Sequence, residues 1–245
     1  MRALLISLAL LCSDVVAADG ENLAVGHFSA NPPGSALPAG WQPYRLAKGK
    51  HETQYLLSTV DGRTVLEARS NGSASALAYA LRADPKRTPW LTFRWRTERL
   101  IEKSDIRTKA GDDYPARIYV VFDYDIARLP FGERMKMRMA RSLWGEQLPV
   151  ATLCYVWEPR QPVGYSQWSA YTDRVRVIVA ESGSARLGQW VDIERNVAAD
   201  FRAAFGEEAP PITSIIVATD TDNTGETAHT WFGDISLHGR PAGRR

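Results

Sequence analysis

Cysteine is nearly missing from this chain: there are two in 245 residues, Cys12 and Cys154. That excludes a disulfide framework and the paired-cysteine spacing of structural zinc sites. Histidine is scarce as well, and His27, His51, His229 and His238 share no metal-ligand spacing. There is no phosphate loop, no dinucleotide fingerprint, and no G-x-S-x-G elbow around Ser182-Gly183-Ser184. An excess of one charge is also lacking: 30 Lys and Arg stand against 28 Asp and Glu, a net charge of +2. Nothing in that balance calls for nucleic acid or an acidic polymer as partner. Beyond the first residues no apolar run is long enough for a transmembrane segment.

What is there begins with a leader. Met1-Arg2 is followed by an apolar run from Ala3 to Cys12, and small residues close the stretch at Ala17-Ala18. A basic start, a short apolar core and small residues predict a secretory signal peptide over 1–18. Leu11 stands where lipid attachment at Cys12 would want a small residue. The protein is therefore expected to be exported and soluble, periplasmic or secreted. Cleavage removes Arg2 and Asp14, one charge of each sign, so the net +2 stands. Only Cys154 then remains, within the apolar run 151–157, where it reads as a buried core thiol. Residues 19–245 are expected to form a single β-sandwich domain, long enough to bury a core without disulfides.

Short β-like runs recur along that length at 54–58, 64–68, 76–81, 90–97, 116–124, 152–157, 175–180, 189–193, 214–219 and 230–237. Turn residues separate them, with Asp61-Gly62 marking a hairpin. Many short strands with such turns predict a mainly β fold, a β-sandwich or jelly roll. Alternation assigns the faces: Phe93 and Trp95 against Arg94 and Arg96, then Ile118, Val120 and Phe122 against Arg117, Tyr119 and Val121. Two segments read as helical. One is an insertion over about 128–147, with Phe131, Met135, Met139 and Leu143 four apart and Arg134, Arg138 and Arg141 on other faces. Its apolar stripe is expected to pack onto the sandwich; the alternative is contact of a basic amphipathic helix with a membrane surface. The other is a short packed helix over 194–205, closed by Gly206 and blocked by Pro210-Pro211.

Chemistry concentrates at a strand end. The apolar Ile215-Ile216-Val217 runs into Ala218-Thr219-Asp220-Thr221-Asp222-Asn223-Thr224-Gly225. Asp220 and Asp222, two apart on extended chain, point the same way. Such an oxygen-rich loop suits a cation, a sugar or proton transfer, and it equally suits a capped turn. A second acidic segment, Lys109-Ala110-Gly111-Asp112-Asp113, precedes Arg117 and a strongly apolar strand. Were the two loops to meet, Asp112, Asp113, Asp220 and Asp222 would share one site with two cations. Paired carboxylates of that kind can serve as acid and base in glycoside cleavage. Aromatic residues are plentiful; most belong to a core, and Trp157 and Trp168, flanking a Pro- and Gly-rich loop, are the expected exposed pair.

Several of these segments together resemble a known family: Leu37-Pro38-Ala39-Gly40-Trp41, Phe93-Arg94-Trp95-Arg96, Lys109 to Asp113, Ala116 to Phe122, Tyr155-Val156-Trp157 and Thr219 to Gly225. The set looks like the exported bacterial family called domain of unknown function 3047, over nearly the whole mature chain. The resemblance implies export and a family domain, and brings no activity with it. The ending Thr230-Trp231-Phe232-Gly233-Asp234-Ile235-Ser236-Leu237 is similar to the last strand of galactose-binding-like jelly rolls, which include carbohydrate-binding modules. That likeness implies a structural Ca2+ near Asp234; Asp220 and Asp222 are candidate metal ligands from their own oxygen-rich loop.

The expectation is thus an exported β-sandwich that binds carbohydrate, an envelope glycan or another small polar ligand. Lys109, Arg117, Tyr119, Asn223, Thr224 and Trp157 would contact it. The alternatives are a glycan-active hydrolase or lyase using Asp112, Asp113, Asp220 and Asp222, and an envelope structural protein.

Overall fold

The computed structural model describes residues 22–45, 49–144 and 150–240. The expected leader at 1–18 and positions 145–147 of the insertion lie outside them. Two seven-stranded sheets face each other as a β-sandwich. The first runs β1 (Asn22–Gly26), β14 (Ile235–His238), β6 (Trp90–Thr97), β13 (Thr227–Phe232), β4 (Arg63–Asn71), β3 (Gln54–Val60), with β11 (Val191–Asn196) also on β6. The second runs β2 (Trp41–Tyr44), β5 (Ala74–Ala83), β12 (Ile212–Asp220), β7 (Arg117–Phe122), β8 (Thr152–Glu158), β10 (Thr172–Ser182), β9 (Ser166–Ser169). Among the named strands every pairing is antiparallel except β8 with β10. Asp61 and Gly62 both take left-handed backbone at the β3–β4 hairpin, as a tight two-residue turn requires.

The core lies between the sheets, and alternation fills it. Phe93 and Trp95 are buried on β6 while Arg94 and Arg96 turn outward. Trp95 meets Trp157 across the sandwich with ring centroids 6.2 Å apart. Ile118, Val120 and Phe122 of β7 and Val217 of β12 complete this layer. The opposite face of β7 is covered as well where the strand begins. Arg117 is 3% exposed, because the segment before β7 folds back over that face with Tyr114.

The expected helix at 194–205 starts later. Glu194–Asn196 continue β11 in register with β6, and α2 spans Val197–Phe205. Asn196 accepts from the Ala199 N–H at 2.9 Å, and Gly206 closes the helix in left-handed conformation. Those first residues pair with Thr92, Leu91 and Trp90 instead. Phe201 of α2 packs on Phe122 at 4.5 Å. In the other helix, α1 (Phe131–Trp144), the expected packing fails: Phe131, Met135 and Met139 are 72%, 45% and 67% exposed. Met137, between them, is buried against Leu129 and Val150 instead. No helix among the described residues is long and apolar enough to cross a membrane.

Candidate functional site

β7 and β12 are antiparallel neighbours, with Ala218 opposite Arg117. That register carries the start of β7 to the end of β12, so the two acidic loops meet. Lys109–Gly111 forms a 3-10 turn capped by the Thr108 hydroxyl, which accepts from the Gly111 N–H. A side chain at Gly111 would sit 2.5 Å from the Asp105 backbone nitrogen, so only glycine fits this close approach. The turn delivers Asp112 and Asp113 beside the 220–225 loop.

Each carboxylate there has its own partners. Asp113, wholly buried, accepts from the backbone N–H groups of Asn223 at 3.1 Å and Thr224 at 2.6 Å. The Asn223 side-chain amide adds a further bond at 3.2 Å. One carboxylate thus shapes the whole turn. Asp220, 5% exposed, takes Arg117 in a bidentate pair, Nε at 2.8 Å and Nη2 at 2.7 Å. Arg117 also donates to Tyr119 Oη at 3.1 Å and to the Asp112 carbonyl. Asp222 pairs with Lys50 at 3.1 Å. Behind them a hydroxyl cluster fixes the loop base: Ser70 bonds Thr221 at 2.8 Å, and Thr53 donates to the Thr219 carbonyl at 2.8 Å.

Four carboxylates therefore face two close cations, Arg117 and Lys50. Burial, together with Asp113 and Asp112, pushes Asp220 up to about 8 against the pull of Arg117. Burial raises Asp112 too, in spite of Arg117, with Asp113 and Asp222 adding to the rise. Charge balance keeps Arg117 firmly protonated despite its burial.

Oxygens of Asp113, Asp220 and Asp222 lie within 4.8 Å of one another, close enough to hold a metal ion. Their chemistry argues against Ca2+. Asp113 is filled by N–H donors and Asp220 by a guanidinium, which would repel a dication, while Ca2+ wants six to eight free oxygens. Asp234, expected at a metal, is engaged elsewhere: it accepts from the Ser29 N–H at 2.9 Å and the Ser29 hydroxyl at 2.5 Å. Trp157, expected in the ligand site, is a core residue with no exposure, donating its indole N–H to the Gly183 carbonyl at 3.0 Å. Trp168 is partly buried, edge-on to Phe205 at 5.3 Å and capped by Arg176. Cys154 is buried and its thiol is pushed up to about 12, which fits an inert core residue.

Two rim residues escaped the sequence reading. Tyr171, 53% exposed at the β9–β10 turn, reaches Asn223 Oδ1 at 3.2 Å and lies under the Lys109 ammonium at 5.3 Å. Lys50 is the partner of Asp222. An aromatic residue at a hairpin tip was the visible signal for Tyr171; nothing local tied it to residues more than fifty positions away. The accessible rim is thus Tyr171, Lys109, Asn223, Lys50 and the outer edges of Asp112 and Asp222.

The family described as "Protein of unknown function (DUF3047)" matches residues 39–236, and the chain belongs to that family. No curated protein matches it. Among solved structures it is similar to a mutant family 29 carbohydrate-binding module complexed with mannohexaose. That pair shares 12% identity over 91% of this chain and 94% of that one, with a TM-score of 0.39. It is also similar to a family 30 carbohydrate-binding module of a Clostridium thermocellum cellulosomal cellulase, at 11% identity over 89% and 96%, with a TM-score of 0.41. A third is the K2 cleaved adhesin domain of Lys-gingipain, at 12% identity over 89% and 97%, with a TM-score of 0.35.

Proposed function

We propose that this DUF3047 protein is an exported β-sandwich that binds carbohydrate at the rim where its two acidic loops meet. One observation carries the reading: a set of fixed hydrogen-bonding groups, Asp112, Asp222 and Asn223, stands next to the exposed Tyr171 ring. Carboxylate and amide groups can bond sugar hydroxyls, and a flat ring can cover a sugar face. Lys50 and Lys109 flank the rim and offer donors beside the carboxylates. The crosslinks beneath prepay the ordering cost of the loops, which helps a small ligand bind.

Catalysis is the weaker reading. Glycosidases work with paired carboxylates. However, Asp113 and Asp220 are buried and committed to their own donors, so neither presents a free oxygen to a substrate. Export rests on the leader at 1–18, and the single remaining cysteine is compatible with it.

The test is a panel of neutral and uronic-acid oligosaccharides, read by mass spectrometry for binding and cleavage together. Binding without cleavage is expected. Tyr171→Ala and Asp222→Ala should each weaken it about tenfold, with little change in melting temperature. Cleavage of any member, or binding that ignores both substitutions, would defeat the reading.

A further inference from the structure

We infer that the exposed stripe of α1 docks onto an anionic lipid surface. A helix turns about 100° per residue, so Met137 lies about 200° from both Met135 and Met139. Met137 is the residue that pins the helix to the body, against Leu129 and Val150. Phe131, Met135 and Met139 therefore point away from the body, and all three are exposed. Exposed large apolar side chains lined up on one helix face mark an interaction surface, because isolated ones would scatter.

Charge identifies the occupant. α1 carries Arg134, Lys136, Arg138 and Arg141 against one acid, Glu133. By the same geometry Arg134 and Arg138 fall on one side of the stripe and Lys136 on the other. The Arg134 guanidinium lies over the Phe131 ring at 5.7 Å, so a cation borders the apolar stripe directly. Glu133 sits on the side of Met137, pairing with Lys136 at 3.0 Å, so the outward face is cationic. An apolar stripe bordered by cations is the arrangement of a helix that lies in the headgroup layer of a negatively charged bilayer. A second copy of the chain would bring the same cations to the same stripe and repel them.

Flotation of the purified protein with vesicles tests this. Vesicles of phosphatidylglycerol and phosphatidylcholine in equal parts should bind it about a hundredfold better than phosphatidylcholine alone, the effect expected of three cations near an anionic surface. Phe131→Ser/Met135→Ser/Met139→Ser should lose at least tenfold on the anionic vesicles. The parent and the variant are both taken in exported form, after the expected removal of residues 1–18, so the apolar leader adds no binding of its own. Melting temperature should stay unchanged, because no contact to Leu129 or Val150 is altered. Equal binding to both vesicle types, or unaltered binding by the triple variant, overturns the inference. Light scattering that shows a dimer abolished by the triple variant also overturns it, and gives the stripe to a second copy. None of these outcomes depends on carbohydrate binding.

Discussion

Asp113 and Phe131 occupy places opposite to those their chemistry favours. The carboxylate is wholly buried, and the phenyl ring is 72% exposed. Around Asp113 three donors converge: two backbone N–H groups and an amide. Over the Phe131 ring lies a guanidinium. A polar group can be buried when its partners are fixed in place, and an apolar group stays out when one other residue, Met137, already anchors its helix.

The contrast breaks most visibly at Arg117. Above about pH 8, where Asp220 is ionised, Arg117→Ala leaves Asp220 and Asp112 without their buried cation and should cost about 4 kcal/mol, or roughly 10 °C of melting temperature. Replacing Asp220 by Asn in the same chain should recover part of that loss. Asp113→Ala comes next. It strands two backbone N–H groups and should cost about 2–3 kcal/mol in a denaturant melt.

A pH titration sharpens the electrostatic side. Folded Asp220 keeps its proton up to about 8, whereas an unfolded aspartate releases it near its ordinary value of 3.8. Between those limits the folded chain binds the extra proton, so this group's contribution to stability declines as pH rises from about 4 to about 8. Asp220→Asn should flatten that part of the profile, and a decline that persists in the variant would assign it to another group. The smallest effect belongs to Phe131→Ser, which should leave stability within about 0.5 kcal/mol of the parent. A loss near 2 kcal/mol there would mean that the stripe is packed after all.

Most of the sandwich could be read from the chain, and the strands that could not share one property. β1, β2 and β9 had no sequence signal, and each lies at the edge of its sheet. An edge strand pairs on one side only and is short, so selection for alternating apolar residues is weak; β2 even holds Pro43. β13 and β14 read as one run at 230–237 because Gly233-Asp234 between them leaves the hydrophobic alternation intact. At the site, the residue types were legible and most of the partners were not. Trp157 was misplaced because an aromatic beside a loop looks the same in sequence whether its ring turns in or out.

Composition and periodicity by themselves determined a cysteine-poor β-sandwich, the buried faces of β6 and β7, and two oxygen-rich loops. These are local properties, since alternation and turn chemistry act within a few residues. Which loops meet was decided by the pairing of β7 with β12, which joins Arg117 to Asp220 across 103 positions. The exposed side of α1 was likewise decided by where Met137 found its pocket. Neither follows from sequence spacing, because contacts over such distances are fixed by packing and register.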